Sequence, residues 1–159
     1  MRVEYINPFV EASFNVLKEV LNTEVKRGDL YLKSSTMQIM GVAALVGLAG
    51  DVEGRVLFDM TKETALSVAS GMNGEEMNVL DDMVKATITE LANMITAQAV
   101  TKLHDLGFKF DLTPPALFTG DNMEISNNLE VEALIVPMEI GPAGKHGKIE
   151  INVVIRERM

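Results

Sequence analysis

From Leu80 to Leu106 the chain reads LDDMVKATITELANMITAQAVTKLHDL, without a glycine or a proline. Freedom from both breakers over such a stretch predicts one long helix. Leu80, Val84, Ile88, Leu91, Ile95, Ala99, Leu103 and Leu106 recur at helical spacing and give it a core-facing stripe. The stripe is interrupted at Lys102, whose aliphatic stem can cover apolar surface while its amine reaches water. Glu90 lies about 200° around the wheel from Ile88 and so points away from the core. The outward line is Met83, Ala86, Glu90, Asn93, Ala97, Val100/Thr101 and His104. A face that met only water would be mostly Lys, Glu, Gln and Arg. Here one carboxylate and one amide stand three residues apart, with Cβ atoms about 5–6 Å from each other. Ala86, Ala97, Met83 and Met94 flank them. Small and adaptable neighbours leave room for another surface, which makes this a candidate docking face.

Composition narrows the partners. The chain has 159 residues, enough for one domain with a substantial core, and 47% hydrophobic with 23% charged residues is ordinary for a globular fold. Its net charge of −9 argues against nucleic acid and against an anionic membrane surface, both of which favour a basic face. With no cysteine there is no disulfide framework, no thiolate chemistry and no Cys-type zinc site. The opening MRVEYINPFVEASF places acids and Asn-Pro where a signal peptide needs an unbroken apolar core, and no apolar run reaches about 18 residues. A cytoplasmic protein without a membrane span is expected. The eleven methionines read as core filler.

Taken in order, Asn7-Pro8 suits a helix start, and Phe9/Val10, Phe14, Leu17 and Val20/Leu21 give that helix one apolar face to about Asn22. A short strand is expected near Asp29–Lys33, a mostly buried strand over Thr36–Leu48, a Gly-rich turn around Asp51 and a returning strand over Gly54–Met60. Thr61 caps a second helix that stops at Gly71–Gly74. After the long helix, Gly107 ends it, Phe108–Leu112 and the breaker Thr113-Pro114-Pro115 follow, and short strands are expected at Ala116–Thr119 and Met123–Ser126. Leu129–Ile140 reads as a strand, with Pro137 marking an edge or a bulge. Gly141–Gly147 connects it to a last alternating strand, Lys148–Arg156, which could offer an unpaired edge. Helix followed by strands occurs twice, a hint of internal duplication. The expected architecture is α+β: a single domain over residues 1–159, mostly antiparallel sheet with helices packed on it.

Several familiar chemistries are absent. GPAGKHGK lacks the spacing and the strand–helix flanks of a phosphate loop and reads as a hairpin connection. His104 is fourteen residues from Glu90, about 21 Å along the helix, too far to share a centre with it. No His-x-x-x-His or Glu-x-x-His pair supports a metal site, and Glu75, Glu76, Asp81 and Asp82 suit the positive end of the long helix. No serine has a nucleophile-elbow setting.

Glu90-Leu91-Ala92-Asn93-Met94, followed beyond the helix by Asp111-Leu112-Thr113-Pro114-Pro115, resembles the CheC/CheX/FliY family of bacterial chemotaxis phosphatases. GLAGDVEGRVLFDM (Gly47–Met60) and ETALSVASGM (Glu63–Met72) resemble the hairpin and helix that precede the motif in that family. A single Glu-x-x-Asn pair on the long helix makes the likeness CheX-like. Ala86 departs from the pattern, which has Asp or Ser four residues before the Glu. The resemblance implies a phosphorylated response-regulator receiver domain of the CheY type as partner, with the acyl phosphate and Mg²⁺ both on the receiver and no cofactor or metal of this chain's own. It implies that Asn93 orients the hydrolytic water and that Glu90 anchors to a receiver lysine. Helix geometry would assign Met83, Ala86, Met94 and Ala97 to the docking surface. The family also implies a homodimer. A module that binds receivers with little or no turnover is the second reading, motivated by Ala86.

Overall fold

The computed structural model describes residues 3–34, 36–126 and 132–157. The first half of the chain forms α1 (Val3–Leu21), β1 (Val25–Arg27), β2 (Tyr31–Lys33), β3 (Met37–Gln38), β4 (Val42–Gly50) and β5 (Val52–Met60). After α2 (Lys62–Asn73) come α3 (Asp82–Asp105), β6 (Phe110–Leu112), β7 (Ala116–Thr119), β8 (Glu124–Ile125), β9 (Ala133–Ile140) and β10 (Lys148–Glu157). The expected α+β domain with an antiparallel sheet is what forms.

The sheet runs β1-β9-β10-β5-β4-β6, with β2 also along β9 and β7 also along β4, while β3 and β8 pair separately. This order has a two-fold pattern. β5 and β10, the last strands of the two halves, pair at the centre from Val52↔Glu157 to Asp59↔Glu150, and β4 and β9 lie outside them. β1 and β2 of the first half then add to β9 of the second, whereas β6 and β7 of the second half add to β4 of the first. Such an exchange of edges is the pairing of two interleaved α–β units, in keeping with the repeated helix-then-strands order of the sequence.

Alternation along the strands divides the sheet into two faces. Val56, Phe58 and Met60 of β5, and Ile149, Ile151, Val153 and Ile155 of β10, join the main core with Phe9, Leu17, Ile88, Leu91, Ile95 and Leu103 of α1 and α3. The two helices lie antiparallel on this face, Tyr5 meeting Phe108 edge-on at 5.0 Å and Glu11 meeting Lys102 at 2.5 Å. The intervening strand residues face the other way. There Leu57 packs with Ala43 and Ile39, and the buried polar groups Arg55, Asp59, Glu150 and Asn152 also lie on that side.

Several boundaries differ from the sequence expectations. α1 begins at Val3, so Pro8 sits inside it, a missing N–H being tolerated because fully buried Tyr5 anchors the upstream turn. The stretch Thr36–Leu48 is two strands, because Gly41 at φ 145 separates β3 from β4. Lys148–Arg156 is no edge: β10 is paired on both sides, by β9 and β5. Pro137 is interior too. Its carbonyl accepts the Gly28 N–H at 2.9 Å where the neighbouring chain breaks between β1 and β2, so the proline's missing donor falls at a gap in the ladder. The first part of the expected Leu129–Ile140 strand lies outside the described residues.

Candidate functional site

Local signals fix α3 at both ends. Asp81 is extended and its carboxylate accepts the Val84 N–H at 3.0 Å, with Asp82 in the first turn, where negative charge is favoured. At the other end Phe108 N–H reaches the Leu103 carbonyl and Gly107 N–H reaches that of His104, the bond pair of a Schellman ending, with Gly107 at φ 97. Between these caps Val84, Ile88, Leu91, Ile95, Ala99 and Leu103 are buried as the stripe predicts. The stripe frays at its ends, Leu80 being half-buried and Leu106 exposed.

The opposite side of α3 presents Met83, Ala86, Glu90, Asn93, Ala97, Thr101 and His104 to solvent. Val100 turns inward instead, leaving Thr101 on the exposed line. Of the residues predicted to flank the pair, Met83, Ala86 and Ala97 are exposed, while Met94 is half-buried against the core. Glu90 and Asn93 make no hydrogen bond or ion pair among the described residues, so both side chains are available to a partner. Hydroxyls on either side do not compete for them: Thr89 donates to the Lys85 carbonyl at 2.9 Å and Thr101 to that of Ala97 at 3.0 Å. The Glu-x-x-Asn spacing also occurs in the sequence at Glu4/Asn7 and Glu19/Asn22, around the two ends of α1, at Glu75/Asn78 between α2 and α3, and at Glu124/Asn127. Only Glu90/Asn93 sits in mid-helix with several turns on each side.

Both side chains of the pair are exposed. An open cleft of about 530 Å³ is found at the far end of α3, lined by Gly50, His104, Phe108, Lys109, Phe110 and Asp111 among others, and neither Glu90 nor Asn93 touches it. His104 leans on Phe110 there, as expected of a helix-end histidine. No group of three or more potential metal ligands occurs among the described residues. An exposed carboxylate–amide pair held in mid-helix can reach into a pocket on another molecule.

The stretches that carry the family resemblance meet in space. Gly47 of β4 donates its N–H to the Thr113 hydroxyl at 2.7 Å, and Thr113 N–H returns a bond to the Gly47 carbonyl at 3.0 Å. A Cβ on Gly47 would stand 3.1 Å from the Thr113 hydroxyl and methyl, so the glycine keeps this contact close. The Thr-Pro-Pro turn is thereby tied to the sheet, between β6 and β7. Sequence reasoning did not single out Val79, which is 67% exposed. The only signal was the Val79-Leu80 pair, of which one member can turn toward the core.

Interleaved half-sheets with two long helices on one face are the fold of the CheC-like class of chemotaxis proteins. The family model described as chemotaxis phosphatase CheX matches residues 42–139, and the chain belongs to that family. It is 30% identical over 128 residues to the CheY-P phosphatase CheX of Thermotoga maritima, covering 80% of this chain and 83% of that one. A chain of the crystal structure of the CheX-CheY-BeF3-Mg+2 complex from Borrelia burgdorferi is 49% identical with a TM-score of 0.84, over 98% of this chain and 100% of that one. A CheC-like superfamily protein from Shewanella sp. PV-4 superposes with a TM-score of 0.85 at 29% identity, covering 98% and 99% of the two chains.

Proposed function

We propose that the protein is a phosphatase for the aspartyl phosphate of a CheY-like receiver domain and acts by inserting the Glu90/Asn93 face of α3 into the receiver's active site. The observation that carries this reading is the exposure of Glu90 and Asn93, unpaired, on one mid-helix face in a chain of the CheX family. Its relative from Borrelia burgdorferi, 49% identical, is known in complex with CheY, BeF3 and Mg²⁺. The acyl phosphate and its Mg²⁺ belong to the receiver, where the metal offsets charge on the phosphoryl oxygens.

This chain's contribution is position. The Asn93 side chain accepts a hydrogen bond from water through Oδ1 and can donate through Nδ2, so it holds the water in line without taking its proton. Water oxygen bonds to phosphorus, the bond from phosphorus to the receiver carboxylate breaks, and the proton leaves with inorganic phosphate. Glu90 accepts charge-assisted hydrogen bonds from a receiver lysine and sets the register of insertion. Ala97 and Ala86 let the surfaces close, and Met83 adapts to the receiver. Ala86 favours one alternative, a module that binds the phosphorylated receiver with little turnover, because it offers no polar group one turn before Glu90.

The test is decay of a phosphorylated receiver from the same genome, with wild-type protein, Glu90→Ala and Asn93→Ala. Acceleration by wild type that both variants lose supports the reading. Binding without acceleration would select the module instead, and neither effect with any receiver would refute both. The setting proposed is cytoplasmic; no helix among the described residues is long and apolar enough to cross a membrane. A homodimer is also proposed, through the outer strand β2, where Leu30 and Leu32 are exposed and the strand pairs with β9 alone among the described residues. A monomer mass by light scattering at micromolar concentration would rule it out.

A further inference from the structure

Apolar exposure continues in the chain before Met83, at Val79. Val79 and Met83, 67% and 55% exposed, lie four residues apart in the chain, Val79 just before the N-cap Asp81 and Met83 in the first turn of the helix. Met83 lies seven residues before Glu90, about 10 Å along the axis. Single exposed apolar residues are ordinary on a surface. What sets these two apart is the rigidity of the elbow that carries them. Met77 N–H donates to the Ser70 hydroxyl of α2 at 2.9 Å, and the Asn73 amide donates to Thr87 of α3 at 2.9 Å. Thr87 in turn donates to the Met83 carbonyl at 2.8 Å. Asp81 N–H bonds the Val79 carbonyl at 2.8 Å while its carboxylate caps α3. The turn from Gly74 to Asp81 is thus tied to both helices, and Val79 is held out in water by fixed backbone.

The surroundings are acidic. Glu75, Glu76, Asp81 and Asp82 are all exposed beside these two residues in the chain, and no lysine or arginine occurs between Lys62 and Lys85. We propose that this elbow is a second contact for the receiver domain, taking an apolar patch rimmed by lysine or arginine next to the receiver's active site. The proposal rests on the phosphatase reading above and adds to it the affinity and partner choice that two polar side chains cannot supply. A specific interface covers about 800 Å² on each partner, so docking must extend well past Glu90 and Asn93. Toward the C-terminal end the exposed residues are Ala97, Thr101, His104, Asp105 and, past the helix, a lone Leu106; toward the N-terminal end two apolar side chains, Val79 and Met83, come with four acids. Charge identifies the occupant. A second copy of this chain would bring the same four acids against these four, whereas a basic rim complements them.

The experiment titrates wild type, the double variant Val79→Ser/Met83→Ser and the control Leu106→Ser onto a CheY-like receiver from the same genome loaded with beryllium fluoride and Mg²⁺. Calorimetry is paired with steady-state dephosphorylation of the phosphorylated receiver and with thermal melts to verify folding. The expected result is a Kd and KM raised at least tenfold in the double variant, with kcat at saturating receiver within twofold of wild type and Leu106→Ser unchanged. A second variant, Glu75→Gln/Glu76→Gln, weakens binding at low salt and matches wild type at 0.5 M salt, on the order of a 4 Å screening length. Binding by the double variant within twofold of wild type overturns the elbow contact alone, provided wild type dephosphorylates the receiver. A change in light-scattering mass in the double variant assigns the elbow to a second copy and also overturns it. Failure of wild type to bind or dephosphorylate any receiver removes the elbow and the phosphatase reading together.

Discussion

Asp59 offers a test of the far side of the sheet, in which the sign and size follow from its surroundings. It stands on β5 directly opposite Glu150 of β10, on the face turned away from α1 and α3, and is 1% exposed. One carboxylate oxygen accepts the Met40 N–H at 2.9 Å; the other is buried without a partner. Burial raises its pKa from 3.8 to about 6, the Met40 N–H drawing it down and the Glu150 charge pushing it up. Below the unfolded value both states hold the proton and there is no penalty. Between 3.8 and about 6 the folded state holds a proton that the unfolded state has released, so stability falls as pH rises, and above about 6 the penalty is constant. At ~1.4 kcal/mol per pH unit that penalty reaches about 3 kcal/mol. Asp59→Asn keeps an oxygen for Met40 and turns an N–H₂ donor toward Glu150, so the variant should be the more stable protein above pH 6, by up to about 3 kcal/mol. The gap should close toward pH 4. Urea unfolding of both proteins at several pH values across this range measures it. A variant less stable than wild type at pH 7.5, or a gap that does not change with pH, would refute the reasoning.

Other substitutions separate scaffold from site. Gly54→Ala would place a Cβ 1.8 Å from the Val154 carbonyl oxygen at a φ of 149, so it should cost on the order of 3 kcal/mol or prevent folding, read by denaturant titration. Asp81→Ala removes the N-cap of α3 and should cost about 1 kcal/mol in the same assay. Glu90→Ala and Asn93→Ala remove exposed, unpaired side chains and should leave stability within about 0.5 kcal/mol, so a loss of receiver dephosphorylation in them could not be ascribed to unfolding.

Periodicity made the helices legible: the stripe of α3, the Thr61 cap, the Gly107 ending and the outward place of Glu90 can all be read from single residues and their spacing. Strand partners could not be. β1 is three residues with only Val25 buried, too short to show alternation. Nothing in Lys148–Arg156 says that it lies at the centre, because a buried interior strand and an amphipathic edge strand both carry alternating isoleucines. The pairing that settles its place is made with β5, nearly a hundred residues away in sequence. The half-burial of Met94 has a related reason. One residue on from Asn93 the helix has turned by ~100°, which brings that side chain to the boundary between core and solvent, where neighbouring elements decide the outcome. Val79 escaped notice because its exposure is set by the Ser70–Met77 and Asn73–Thr87 hydrogen bonds, which link residues through the fold.

The location of the displaced ionisable groups bears on mechanism. Asp59, raised by burial, Arg55, lowered by burial, and Tyr31, raised by burial and by its bond to Glu150, cluster on the sheet face opposite the helices. Active sites that rely on acid–base chemistry gather such groups around the reacting atoms. Here the proposed site is a helix face elsewhere, and Asn93, proposed to orient the water, does not titrate. His104 and His146 lie respectively at the end of α3 and in the β9–β10 connection. A mechanism of position alone therefore predicts that the ratio of catalysed to spontaneous receiver dephosphorylation is flat from pH 6.5 to 8.5, above the titration of Asp59 at about 6. The ratio cancels changes in the receiver's own chemistry, and saturating receiver removes changes in docking. A step in that ratio with an apparent pKa between 6.5 and 8, lost in a histidine variant of this chain, would mean that a proton is taken by the phosphatase and that Asn93 does not act alone.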